Sequence, residues 1–175
     1  MEALLIYESL YGNTAAIGEA IAASLRTHGV DVTAGPLTRF EPEQTSGFDL
    51  VVAGGPTHVH GMSSQKTRET AAHDTKNTFA EPTVTPGLRE WLERLPPGTG
   101  RLAAAFDTRI DKPILLTGSA AKGIAKRLRK LGFGLPVGPE CFLVDTDNYL
   151  VHGEAEHATA WGRRLAEAAS AAIAA

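Results

Sequence analysis

The opening of the chain constrains it most. A short, continuous apolar run, Ala3-Leu4-Leu5-Ile6-Tyr7, passes through Glu8 straight into Ser9-Leu10-Tyr11-Gly12-Asn13-Thr14. An uninterrupted apolar run of this length is the pattern of a strand buried on both faces, as in a parallel sheet covered by helices. Helical spacing follows at once: Ile17, Ala20, Ile21, Ser24 and Leu25 share one stripe, and His28-Gly29 ends it. A buried strand, a tight polar turn and an amphipathic helix begin a βαβ arrangement.

The alternation continues. A weaker strand, Val30 to Ala34, precedes a second buried-type strand, Phe48 to Ala53, which Gly54-Gly55-Pro56 is expected to stop. Arg101 to Phe106 and Glu140 to Val144 read as the fourth and fifth strands. Leu88, Trp91, Leu92 and Leu95 mark a helix that Pro96-Pro97-Gly98 terminates. Gly118-Ser119 opens another, with Ile124, Leu128 and Leu131 on one face, Lys122, Lys126, Arg127 and Lys130 mostly outside, and Gly132 as its stop. An Ala-rich helix anchored by Trp161 and Leu165 runs from about Glu154 to the end.

This order predicts one α/β domain over residues 1–175, a parallel sheet with helices on both faces. Two stretches stand apart. Thr38 to Gly47 supplies only a weak helix for the crossover between the second and third strands. Residues 63–87 form a polar insertion between the third strand and the third helix, with an exposed helix in its first half and a loop from Asn77 to Pro86.

Composition narrows the function classes. With 43% hydrophobic and 21% charged residues the chain can bury a core. A formal net charge of -3 argues against nucleic acid as a partner. Cys141 is the only cysteine, which excludes an intramolecular disulfide and a Cys-rich metal site. The histidines at 28, 58, 60, 73, 152 and 157 form no H-E-x-x-H pattern, so no metal is assigned. The acidic start lacks the pattern of a signal peptide, and no segment reaches membrane-spanning length; a cytoplasmic location is the expectation.

The first turn carries the chemistry. Ser9, Tyr11 and Thr14 offer hydroxyl donors, Gly12 permits a sharp turn, and Asn13-Thr14 start a helix whose free N–H groups point back at the same space. Such a helix N-terminus favours an anion through its donors and its dipole. No Lys or Arg lies in the turn, which suits a phosphate monoester rather than a triphosphate needing a P-loop lysine. A hydroxyl-rich helix cap with no ligand is the other reading of the same residues.

Ser9 to Thr14, directly after the first strand, resembles the phosphate loop of flavodoxins. Gly54-Gly55-Pro56-Thr57-His58-Val59-His60-Gly61-Met62 resembles the flavodoxin loop that flanks the isoalloxazine ring. Phe142-Leu143-Val144, Gly153-Glu154 and Ala160-Trp161-Gly162 are similar to the last strand and helix of many flavodoxin-domain proteins. The resemblance implies a flavodoxin-like three-layer sandwich with a five-stranded sheet in the order 2-1-3-4-5, and FMN at the switch point between strands one and three.

What it implies for the site follows residue by residue. Ser9, Leu10, Tyr11, Gly12, Asn13 and Thr14 would hold the phosphate. Pro56, Thr57, His58, Val59, His60 and Gly61, with Phe106, Asp107, Thr108 and Arg109 after the fourth strand, would sandwich the ring. Gly61, with Gly54 or Gly55 behind it, would turn a carbonyl toward the flavin N5–H, or these glycines merely permit a tight turn. His58 and His60 stand where the family commonly has aromatics, as ring contacts or as surface histidines. Arg109 would raise the flavin potential, or form a surface ion pair with Asp107 or Asp111.

The expected function is FMN-dependent electron transfer between redox partner proteins. An FMN-dependent NAD(P)H:quinone-type reductase, with the insertion as lid or dimer surface, is one alternative. A non-redox module that has lost tight FMN binding is the other. A response-regulator receiver fails because the third strand ends in Ala53-Gly54-Gly55 without an aspartate. A nucleophile-elbow hydrolase fails because Ser119 directly follows Gly118.

Overall fold

The computed structural model describes residues 1–58, 60–75, 77–80 and 82–175. In chain order the elements are β1 (Glu2–Tyr7), α1 (Asn13–Thr27), β2 (Asp31–Pro36), β3 (Leu50–His58), the two-residue β4 (Gly61–Met62), α2 (Gln65–Ala72), α3 (Leu88–Glu93), β5 (Leu102–Ile110), α4 (Ile114–Thr117), α5 (Ala120–Lys130), β6 (Glu140–Val144) and α6 (Glu154–Ala174). The main strands pair in parallel in the order β2-β1-β3-β5-β6, and β4 folds back antiparallel on the end of β3. Leaving β4 aside, this is the expected 2-1-3-4-5 order.

Strand alternation divides the core between two faces. Leu5, Val52, Phe106 and Phe142 turn toward α1 and α6, where Ile17, Ile21, Leu25, Trp161 and Leu165 meet them. Leu4, Ile6, Val51 and Ala103 turn the other way, against Leu88, Trp91 and Leu92 of α3 and Ile124 and Leu128 of α5. Each large side chain removed from water contributes about 1.5–3 kcal/mol before entropy is counted, so both faces of the central strands stabilise the sheet.

The structure corrects several expectations. Gly54-Gly55-Pro56 does not stop the third strand, which continues to His58. Gly54 pairs with Phe106 across β3 and β5, and a Cβ there would sit 2.0 Å from the Phe106 ring, so glycine is what lets the aromatic lie flat on the strand. β5 likewise runs on to Ile110. The β2–β3 crossover contains no α-helix; two 3₁₀ turns, Leu37–Arg39 and Pro42–Gly47, take its place. α2 is not wholly exposed, because Arg68 and Ala71 are buried. Among the described residues no helix is long and apolar enough to cross a membrane.

Candidate cofactor-binding site

The carboxyl ends of β1, β3 and β5 lie side by side, so the segments leaving them meet at the place where the strand order reverses, the usual ligand crevice of such sheets. A cleft of about 440 Å³ opens there, within the range of small-molecule sites. Leu10, Tyr11, Asn13 and Thr14 line it from the first turn, Pro56, Thr57, His58 and His60 from the end of β3, and Thr108 and Arg109 from β5.

The first turn has the geometry of an anion nest. Gly12 caps α1 with φ of 90°, a left-handed conformation suited to glycine. Ser9 Oγ accepts the Gly12 and Ala15 N–H groups at 3.2 and 3.3 Å, which leaves its own O–H to donate elsewhere. Among the described residues, the N–H groups of Leu10, Tyr11, Asn13 and Thr14 find no acceptor. Thr14 Oγ1 meets Thr108 Oγ1 at 2.7 Å, tying α1 to β5 under the cleft. The Tyr11 hydroxyl, expected to face a phosphate, is engaged elsewhere: Tyr11 Oη donates to Asp74 at 2.9 Å, while Asn13 Nδ2 donates to Asn148 O at 2.7 Å. Burial and the Asp74 carboxylate push the Tyr11 hydroxyl pKa up.

The ring-side expectations divide. Phe106 is fully buried, 6.2 Å from Phe142 and 6.4 Å from Trp161 between ring centroids, and belongs to the core. Asp107 is also buried. Its Oδ2 accepts from Thr57 Oγ1 at 2.9 Å, Ser119 Oγ at 2.7 Å and Ala121 N at 2.8 Å, so it caps α5 rather than facing the cleft. The reason for both corrections is the extra length of β5, which moves the strand end past these residues. Gly54 cannot offer a free carbonyl, since its oxygen accepts Glu8 N–H at 2.9 Å.

Gly61 pairs with His58 across the β3–β4 hairpin and has open space where a Cβ would stand. Val59 lies outside the described residues. Ser9, Gly12 and Gly61 shape the crevice without lining the cleft itself. Burial lowers the His58 pKa, so this imidazole is neutral near pH 7. His60, at φ 71°, bridges to Gly118, where a Cβ would fall 2.3 Å from the His60 carbonyl oxygen.

Arg109 makes neither expected ion pair among the described residues. Its Nη1 donates to Lys112 O at 2.7 Å, with longer contacts to Ile110 O and Thr117 Oγ1, while Nε is buried without a partner. The guanidinium is thus fixed at the cleft wall with its charge uncompensated by a carboxylate.

Sequence reasoning missed Lys112, Leu116 and Thr117 from the β5–α5 connection, and Val144 and Asn148 from the end of β6. The Asp145-Thr146-Asp147-Asn148 run is a turn signal that could have pointed to Asn148, whose φ is 64°. It also missed a buried polar cluster below the turn. Glu8 accepts the Ser63 hydroxyl and the Leu88 N–H, the latter at 2.7 Å, and Arg68 Nη1 reaches Ser63 Oγ at 3.2 Å. Arg68 also pairs with Glu90 at 3.2 Å and donates to Val84 O. Burial raises the Glu8 pKa despite these donors.

No family model matches the sequence, and no curated protein matches it in a sequence comparison. Solved structures match it along nearly its whole length. Oxidised flavodoxin 2 from Bacillus cereus has a TM-score of 0.70 at 16% identity, over 95% of this chain and 99% of that one. A flavodoxin from the domain Archaea gives 0.66 at 19% identity, over 97% and 99%. The fold is flavodoxin-like. The flavodoxin-like chain also matches the Flv1 flavodiiron core from Synechocystis with a TM-score of 0.65 at 21% identity, over 98% of this chain and 36% of that one. At these identities the likeness is one of architecture.

Proposed function

We propose that this chain binds FMN and carries electrons between redox partner proteins. The observation that carries the reading is the first turn: an anion nest whose Leu10, Tyr11, Asn13 and Thr14 N–H groups find no acceptor among the described residues, beside a cleft of about 440 Å³ at the switch point of the sheet that those four residues line. The donor set fits a phosphate monoester, because it has several neutral donors and no lysine.

Ser9 O–H and the N–H groups of Leu10, Tyr11, Asn13 and Thr14 would hold the phosphate. Pro56, His58 and Leu116 supply mainly apolar cleft wall for a ring, and Gly61 keeps the hairpin beside it narrow. Arg109 and Lys112 place positive charge on that wall. The flavin, when bound, supplies the electron chemistry, and the protein's part is to bind, orient and set the local field. Tyr11 is the one Phe, Tyr or Trp among the described lining residues, and its hydroxyl is held by Asp74. Ring stacking is therefore sparse, and the phosphate turn carries a large share of the affinity.

The test is a titration of the apoprotein with FMN, followed by flavin fluorescence, with riboflavin as control. FMN binding at least tenfold tighter than riboflavin is the expected result. No FMN binding at high micromolar concentration would remove the electron-transfer reading and leave the fold to a non-redox use. Steady turnover of NAD(P)H with a quinone by the loaded protein would favour a reductase over a carrier.

A further inference from the structure

Asn77, Phe79 and Thr83, from the segment between Asp74 and Thr83, grip the outer side of the first turn. Thr83 N–H donates to Ser9 O at 2.8 Å, and Thr83 Oγ1 accepts Ser9 N–H at 3.3 Å. Asn77 Nδ2 donates to Leu10 O at 2.9 Å and to Ala71 O at 2.9 Å, anchoring the turn to the end of α2. Asn77 Oδ1 accepts the Phe79 N–H at 2.9 Å, and the Phe79 ring lies against Gly12, where a Cβ would be 3.1 Å away.

Peptide planarity makes these contacts directional. In a trans peptide the carbonyl and the following N–H point to opposite sides of the chain. Bonding Ser9 O to Thr83 and Leu10 O to Asn77 therefore turns the N–H groups of Leu10 and Tyr11 away from the segment. Those are two of the donors that find no acceptor among the described residues.

We infer that this segment is a strap whose Asn77 and Thr83 act as positioning residues for phosphate recognition. They hold two N–H donors in the orientation an anion needs before it arrives. The inference rests on the FMN reading and assigns the polar insertion a part in it. Donors oriented in advance bind more tightly because little ordering is left for the binding step. Asn77 and Thr83 reach the turn only through backbone groups of Ser9 and Leu10, so their effect falls on the phosphate and leaves the ring contacts alone.

The experiment compares FMN and riboflavin affinities of the full chain with those of Asn77→Ala and Thr83→Val, with thermal unfolding followed alongside. Asn77→Ala frees Leu10 O, whereas Thr83→Val removes only the acceptor for Ser9 N–H and keeps the backbone bond, so it carries the test if the first variant fails to fold. The expected result is about a tenfold loss of FMN affinity in Asn77→Ala and a smaller loss in Thr83→Val, with riboflavin affinity unchanged in both. Variants that keep the wild-type ratio of the two affinities would overturn the strap, as would equal losses for both ligands, which mark a structural role only. A wild-type protein that binds FMN no better than riboflavin would overturn the phosphate reading itself, and the strap with it.

Discussion

Arg109 shows how much a single side chain can decide. A guanidinium beside two aspartates in sequence invites the reading of a surface ion pair. The structure instead sends Asp107 to the start of α5 and pins Arg109 Nη1 to backbone carbonyls and Thr117, leaving its charge at the cleft wall. A fixed cation there favours whichever flavin state carries more negative charge, because the attraction is stronger in a half-buried crevice than in water. Arg109→Gln should therefore lower the midpoint potential of bound FMN, by about 30 mV for a two-electron couple if the charge is worth tenfold. Potentiometry on the FMN-loaded variant measures this, and an unchanged potential would place the guanidinium outside the field of the ring. Phe106 teaches the opposite lesson: an aromatic at a strand end looks like a stacking residue until the strand proves longer than expected. Its ring then covers Gly54 in the core.

Among the elements, those set by burial were legible in the sequence. β1, β3, β5 and β6 announce themselves because a strand covered on both faces is apolar at successive positions, and α5 and α6 because their buried residues recur at helical spacing. What was not legible depends on contacts between segments distant in sequence. Glycines and a proline read as breakers after Ala53, yet β3 persists because Phe106 fills the space over Gly54 and β4 pairs with its end. The cleft was legible where local turn chemistry defines it, from Leu10 to Thr14, and illegible where α4 and the loop after β6 complete it. The insertion looked like a solvated run because Arg68 is charged, but Arg68 is buried against Ser63 and Glu90 under the first turn.

That cluster gives the element a pH signature. Burial raises the Glu8 pKa above its ordinary 4.5, so the folded protein binds this proton more tightly than the unfolded chain does. The resulting stabilisation is present in full below about pH 4.5 and is lost as pH rises through the raised value. Glu8→Gln lacks this dependence. Urea unfolding at pH 4 and pH 7.5 should show the stability of wild type, relative to Glu8→Gln, falling with rising pH. A constant difference would mean that the Ser63, Leu88 and Arg68 contacts cancel the cost of burial.

At the scale of the whole molecule, one sheet separates two apolar layers that share no helix. α1 and α6 close one side, α3 and α5 the other, and the first turn draws on both, since α1 supplies its capped end while the Glu8 cluster ties β1 to α3. The two layers should therefore unfold together. The chain carries its own means of checking. Its tryptophans, Trp91 and Trp161, are both fully buried and stand on opposite sides of the sheet. Trp91→Phe leaves a fluorophore that sees only the α6 side, and Trp161→Phe one that sees only the α3 side. Coincident emission transitions in the two variants, after allowing for their separate midpoints against circular dichroism, would show one cooperative unit. An α3-side signal that moves first would show that the layer of α3 and α5 loosens on its own. Each half of this protein thus has a built-in optical reporter, and no external label is needed to learn which half answers when a ligand arrives.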